Sequence, residues 1–309
     1  MVQVTLEPLK IPDRLRMPAV FEREWTEPAN KLRPRILLPA AFTGPSPIAP
    51  GEHRVFIVFN RKGGAGKTTT TLELACAWAA MGYTVRIIDA DPQDAGLTGW
   101  LAPVYPEGLD PKHRLTLKNV MYGEAGLDEA TYYTTRYKNL YIVPSYEDCA
   151  VVEYDPAVNG ERTLRRAIKR SEAPVDITIV DCPPKVGKLS TFTLAIGGEV
   201  LVPSQLSGLD KKSNEPLRRT IADAQEEYDV RVRAAVLTAW GKTIISRSVG
   251  NEMAEHYPDA LVCPVRRSVD ATTAPDENQS IREYNKRSTT TRDFDQLGHM
   301  LVAPRGAAE

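Results

Sequence analysis

The stretch Asn60-Arg-Lys-Gly-Gly-Ala-Gly-Lys-Thr-Thr69 holds three glycines, two lysines and two threonines within ten residues. Glycine lets successive backbone N–H groups turn toward one point, a geometry that holds an anion. Gly63, Gly64, Ala65 and Gly66 could form that cradle, and a helix opening over Lys67, Thr68 and Thr69 would add its positive end. Lys67 would reach the terminal phosphates of a nucleotide, and Thr68 would offer its hydroxyl to Mg²⁺. The common phosphate-loop pattern G-x-x-x-x-G-K-[ST] fails at its first position, which is Arg61, and a second lysine, Lys62, precedes the double glycine. The competing reading is a glycine-rich turn that merely caps a helix between two solvated lysines.

Phosphate binding becomes hydrolysis when a metal is held and a water is oriented. Three carboxylates could do this: Asp89 and Asp91 in Asp89-Ala-Asp-Pro-Gln93, and Asp181 in Asp181-Cys-Pro-Pro184. Each follows an apolar run that reads as a strand, and in parallel sheets ligands sit beyond the carboxyl ends of strands. Aspartate after a strand is also a common turn or cap residue. Asp89 is open to two roles, holding Mg²⁺ through water or orienting the loop.

The elements that must position these groups are short and alternating. Val55–Phe59 is an apolar, β-branched run suited to a strand buried on both faces. Thr68–Met81 has helical spacing, with Leu72, Ala75, Cys76 and Ala79 on one side and Gly82 as its stop. Further strands are predicted over 85–88, 140–143, 177–180, 199–202 and 233–237, with helices over 160–169 and 214–228. Strand alternating with helix predicts an α/β fold with a mostly parallel central sheet flanked by helices. Residues 103–137 lack a clear pattern and read as a surface insertion.

Residues 1–53 form a different texture. They carry nine of the chain's 24 prolines, which disfavours long helices and central strands. They read as an extended N-terminal arm, docked through Phe21, Trp25 and Ile36–Leu38 or free. The expected organisation is therefore an arm over 1–53, a nucleotide domain over 54–303 and a short tail over 304–309.

Bulk composition narrows the class. The 309 residues are 42% hydrophobic and 26% charged, with a formal net charge of -1. That suits a globular protein with a sizeable core, and any nucleic-acid surface would have to be a local patch. Four cysteines, widely spaced, offer no knuckle or redox pair and point to a reducing compartment. No apolar run approaches membrane length, so a cytoplasmic protein is expected.

Taken together, Lys62–Thr69 is similar to the deviant phosphate-loop motif of the ParA–MinD group of P-loop ATPases, which includes ParA partition ATPases, MinD and the nitrogenase iron protein. Asp89–Gln93 and Asp181–Pro184 resemble the second and third nucleotide motifs as ParA proteins write them. Val200–Pro203 with Gln205, the segment from Pro264 to Pro275, and Ile281–Tyr284 resemble later ParA segments. The likeness spans about residues 54–303. It implies ATP and Mg²⁺ as cofactors, with Pro264 contacting the nucleotide. It further implies a homodimer when ATP is bound, in which Lys62 reaches the partner's nucleotide as a catalytic cation. Asp91 would position the attacking water, and Asp181, with Thr68 and Asp89, would support Mg²⁺.

The ATP-bound dimers of that family bind duplex DNA without sequence preference and are released by a ParB-type centromere-binding protein, which places the protein on the nucleoid. Lys242, Arg247, Arg266 and Arg267 are the candidate DNA contacts, with an ordinary solvated surface as the alternative. Two departures fall in expected switch segments: Asp94-Ala-Gly96 where the family writes Gly-Asn-Ala, and Lys185 where it places a small serine. A MinD-like positioning switch or scaffold with weak ATPase activity is the rival reading. The tail after Leu301, with a proline, a glycine and one basic residue, does not suit the membrane-docking helix such a switch would use. A cluster carrier would need paired cysteines, and a tyrosine kinase a tyrosine-rich end; the last 25 residues contain no tyrosine.

Overall fold

The computed structural model describes residues 36–93, 96–134, 137–185, 187–205, 214–241 and 243–304. Their centre is an eight-stranded sheet made of β1 (Arg54–Val58), β2 (Val85–Asp89), β3 (Tyr132–Tyr133), β4 (Leu140–Val143), β5 (Ile177–Asp181), β6 (Gly198–Gln205), β7 (Val230–Trp240) and β8 (Leu261–Arg266). The spatial order is β3-β4-β2-β5-β1-β6-β7-β8. Every pairing is parallel except β3 with β4, the mostly parallel arrangement expected.

Alternation along β1 explains why it sits at the centre. Phe56 and Val58 enter one core and Ile57 and Phe59 the other, so the strand is apolar on both faces. Helix α1 (Lys67–Ala80) follows the glycine loop and is buried along nearly its whole length. Its Trp78 stacks on Phe56 with ring centroids 4.7 Å apart, and its indole N–H donates to the Gly298 carbonyl. Burying a side chain of this size contributes roughly 1.5–3 kcal/mol. The helix is locked between the sheet and the last helix rather than resting on an amphipathic surface.

The remaining helices are α2 (Leu97–Leu101), α3 (Leu117–Tyr122), α4 (Gly160–Arg170), α5 (Lys188–Leu194), α6 (Asn214–Glu227), α7 (Ile244–His256), α8 (Asp270–Asp276), α9 (Ile281–Tyr284) and α10 (Thr289–Leu301). Leu117, Val120 and Met121 of α3, Leu164 and Ile168 of α4, Leu189 and Phe192 of α5, and Leu217 and Ile221 of α6 share one core with Ile57 and Phe59. Phe294, Leu297, Met300 and Leu301 of α10 join the opposite core with α1.

Two features differ from the sequence-based expectation. The supposed insertion is built into the fold: it supplies α3 and the edge strand β3, and Leu117, Val120, Met121, Leu127 and Ala130 are fully or almost fully buried. Its elements are too short to show periodicity, although its apolar residues face inward. Strand β8 was not expected, because Pro264 interrupts its apolar run. It lies at the sheet edge, where a missing N–H is tolerated. That edge is covered by Leu37, which exchanges two backbone hydrogen bonds with Val262 at 2.9 and 3.0 Å, so part of the proline-rich segment serves as edge protection. Ile36, Leu37, Leu38 and Ile48 are buried, while Phe21 and Trp25 lie outside the described residues.

Candidate nucleotide site

The phosphate loop leaves β1 at Phe59 and enters α1 at Lys67. Asn60, 6% exposed, fixes its start: its side-chain amide donates to the Pro203 carbonyl at 2.6 Å and its oxygen accepts from the Lys62 amide at 2.9 Å. Pro203 is possible in this interior strand because β6 has outrun β1 there, so no ladder bond is lost. Gly64 and Gly66 take φ of +71° and +89°, which side-chain-bearing residues rarely adopt. At Gly66 a β-carbon would also lie 2.9 Å from Thr238 Cγ2. Thr238, on β7, closes the loop from behind by donating its hydroxyl to the Ala65 carbonyl at 3.0 Å. Gly63 and Gly64 face open space, as a cradle requires.

Lys67 is 6% exposed, and its ammonium donates to the Lys62 carbonyl at 3.1 Å. Burial pulls its pKa below the usual lysine value, opposed by Asp181, Cys182 and Asp91. Thr68 Oγ1 donates to Asp181 Oδ2 at 2.8 Å, and Thr71 Oγ1 approaches Asp181 Oδ1 at 3.2 Å. Asp181 is 1% exposed. Burial, reinforced by the neighbouring Asp89 charge, pushes its pKa up to about 8, against the Thr68 hydrogen bond and Lys67.

Strand register explains this crowding. Asp181 pairs across with Val58 on one side and Asp89 on the other, so the carboxyl ends of β1, β5 and β2 stop side by side. Asp89 is fully buried and held at about 7 by that burial. Its Oδ2 accepts from the Thr98 amide and hydroxyl at 2.8 and 2.7 Å, and its Oδ1 accepts from the Asp91 amide at 3.2 Å. These bonds tie the Asp91 and Thr98 segments to the end of β2. Asp91 is less enclosed and accepts from the Gln93 amide at 3.3 Å; burial raises its pKa, and Lys67 opposes the rise.

Lys62, Lys67, Thr68, Asp91 and Asp181 thus belong to one end of the sheet. Thr69 follows on the first turn of α1, half-buried. Pro264 is buried in β8 in register with Leu237, one residue before Thr238. Of the four expected DNA contacts, only Arg266 and Arg267 have described side chains. Arg266 is held by Asp293 through its backbone amide, Nε and Nη2, at 2.8, 2.8 and 2.6 Å, so its guanidinium is occupied internally. Arg267 is exposed. Arg247 belongs to α7 but its side chain is outside the described residues, as is Lys242.

Sequence reasoning missed Asn60, Thr71, Thr98, Thr238 and Glu153. Glu153 accepts from the amides of Lys188 and Leu189 at 2.7 and 3.2 Å, capping α5 just after the Asp181 loop. Asn60 and Thr71 lie within or one turn beyond the recognisable loop. The others come from distant segments and carry no local signal. Arg61, at the position where glycine was expected, reaches the Pro216 carbonyl on α6 at 3.1 Å.

A family model described as an AAA domain matches residues 53–234. The chromosome partitioning protein ParA of Caulobacter vibrioides is 28% identical over 259 residues, covering 81% of this chain and 94% of that protein. Among solved structures, cobyrinic acid a,c-diamide synthase from Mycobacterium smegmatis, with bound ADP and magnesium, aligns with a TM-score of 0.64 at 26% identity, covering 80% of this chain and 92% of the other. An ATP complex of Cyanothece McdA aligns with a TM-score of 0.69 at 18% identity over 84% and 99% of the two chains, a likeness of fold.

Proposed function

The chain belongs to the AAA_31 family of AAA domains and is a P-loop ATPase of the ParA–MinD kind, and on that premise we propose that it is an ATP-driven partition protein. In this reading it binds and hydrolyses ATP with Mg²⁺, pairs with a second copy when ATP is bound, and holds duplex DNA without sequence preference. A ParB-type partner stimulates hydrolysis and releases it, and the cycle segregates DNA along the nucleoid. The observation that carries the reading is the meeting of Lys62, Lys67, Thr68 and Asp181 at one end of the sheet. The similarity to a chromosome-partitioning ParA over most of both chains supports the cargo class.

The residues present fit the cofactors. The outward-facing glycines leave room for phosphate, and the loop amides and Lys67 supply positive charge beside it. Thr68 and Asp181, already joined at 2.8 Å, would hold Mg²⁺. When bound, Mg²⁺ neutralises charge on the β- and γ-phosphates. Lys67 binds the terminal phosphates. Asp91, at the mouth of the site, orients the attacking water, and Asp89 holds the Asp91 segment through its amide. Lys62 acts on the partner's nucleotide, in the manner of an arginine finger supplied in trans, so that hydrolysis depends on dimerisation.

Sedimentation velocity with ATP, ADP and no nucleotide tests this reading. A dimer that forms only with ATP, and is lost in Lys67→Ala, is the expected result. A protein that stays monomeric with saturating ATP would contradict the trans role of Lys62 and the partition cycle built on it.

A further inference from the structure

Helix α4 places Arg162, Arg165, Arg166, Lys169 and Arg170 within eleven residues. Their spacing, i, i+3, i+4, i+7 and i+8, puts all five along one side of a helix. The opposite side is anchored by Leu164 and Ile168 in the core, and by Gly160 against the Phe192 ring. Arg162, Arg166, Lys169 and Arg170 are exposed and Arg165 is half-buried. Together with Asn159 and Glu161 they line a shallow surface groove.

None of the five makes an ion pair with a described residue, and no acid occurs between Glu161 and Glu172. The neighbouring groove does carry Glu124, Asp128, Glu129 and Glu172 beside Arg166 and Arg170. Three of those acids are engaged elsewhere: Asp128 pairs with buried Arg86, Glu124 accepts from the Asn119 side chain, and Glu129 accepts from the Gly126 amide. Helix-dipole stabilisation accounts for Lys169 and Arg170 in the last turn but not for Arg162, which sits in the first turn where a cation is disfavoured. In a chain of net charge -1, five cations along one helix face, none ion-paired with a described residue, call for an anionic partner.

We propose that the arginine face of α4 is a docking surface for the phosphate backbone of duplex nucleic acid. The proposal rests on the nonspecific DNA-binding reading above and moves its main contact away from the C-terminal arginines, of which Arg266 is already held by Asp293. From residue 162 to 170 the helix advances about 12 Å, a length over which one strand of B-form duplex presents about three phosphates. Arginine predominates, the residue whose planar fork suits phosphate oxygens. An anionic membrane is the less suitable partner, since an interfacial helix needs large apolar side chains beside its cations. Here those apolar side chains, Leu164 and Ile168, are in the core.

The test is fluorescence anisotropy on a labelled random-sequence duplex, with ATP and a salt titration. It compares the full chain, an Arg162→Gln/Arg166→Gln/Lys169→Gln variant, the corresponding Arg162→Lys/Arg166→Lys variant, and Arg267→Gln. The expected result is at least a tenfold loss of affinity in the triple-glutamine variant. Its salt slope should become shallower by about 0.9 for each phosphate that is no longer neutralised. The lysine variant should keep most of the slope, and ATP binding should be unchanged throughout. Unaltered affinity and slope in the triple-glutamine variant would overturn the proposal, as would loss of binding in Arg267→Gln alone. Sedimentation with vesicles of 30% anionic lipid supplies the other arm: if the substitutions abolish vesicle binding and leave DNA binding intact, the surface is a lipid site and the proposal fails. Absence of DNA binding by the unsubstituted chain at low salt would instead sink the underlying DNA-binding reading.

Discussion

The hydroxyl of Thr68 donates to Asp181 Oδ2 across 2.8 Å, tying the first turn of the loop helix to the end of a strand 113 residues further along the chain. The contact joins the group that would ligate Mg²⁺ to the acid that would steady it. Asp181→Asn keeps the size and removes the ionisable carboxyl. Mg²⁺-dependent ATP affinity should fall about 10–100-fold, the usual cost of removing an outer partner of a metal site, while ADP binding without Mg²⁺ should stay within about twofold. Titration calorimetry with and without Mg²⁺ checks this, and equal losses in both conditions would assign Asp181 a purely structural role.

Lys67 and Lys62 should separate cleanly. Lys67 is buried at the base of the cradle and hydrogen-bonded to the Lys62 carbonyl, so Lys67→Ala should abolish nucleotide binding. Lys62→Ala should retain ATP binding and lose hydrolysis by on the order of 10³-fold, the scale of a cation supplied in trans. Phosphate release alongside fluorescent-nucleotide binding distinguishes them. Normal turnover in Lys62→Ala would remove its catalytic role.

The segment after Asp181 is held by Glu153, whose carboxylate takes the amides of Lys188 and Leu189. Glu153→Ala should destabilise the protein by about 1 kcal/mol, the typical value of a helix cap, and slow hydrolysis by loosening the segment. A β-carbon on Gly187 would collide with the same carboxylate, so Gly187→Ala should reproduce the effect. Thermal melts and steady-state ATPase rates of both variants check it; unchanged melting in both would show that the cap contributes nothing.

Stability should also depend on pH through Glu73. This α1 residue is 2% exposed and accepts from the Ile281 amide at 2.6 Å. Burial raises its pKa from 4.5 to about 7. The folded state therefore keeps a proton that the unfolded chain releases, and nucleotide-free stability should fall as pH rises from about 4.5 to 7. The full span is on the order of 3 kcal/mol. Glu73→Gln preserves the acceptor and should make that part of the profile shallower, leaving the contributions of Asp89 and Asp181. An identical slope in the variant, measured by denaturant titration at pH 5, 6, 7 and 8, would contradict the assignment.

Much of the site was legible because its residues are consecutive. A loop from Lys62 to Thr69 between strand and helix, and aspartates at strand ends, place the chemistry without long-range information. What escaped was whatever depends on distant partners. Thr98 and Thr238 are ordinary threonines until the fold brings them to Asp89 and Gly66. Arg266 read as an exposed cation because Asp293 lies 27 residues away in sequence. Pro264 hid β8, since only the sheet order reveals an edge. The basic stripe of α4 lay inside a helix that was expected, but that none of its cations is ion-paired with a described residue could be seen only with Asp128, Glu124 and Glu129 in place.

The most direct test of the partition reading is the affinity for nonspecific duplex DNA with ATP, with ADP and without nucleotide, in the full chain and in Lys67→Ala. Tight, salt-sensitive binding that requires ATP and disappears in the variant is the expected result, and it would tie the nucleotide site to the DNA surface. DNA binding of equal strength in all three nucleotide conditions, or none at any salt concentration, would contradict the account and leave an ATPase that acts on a different partner.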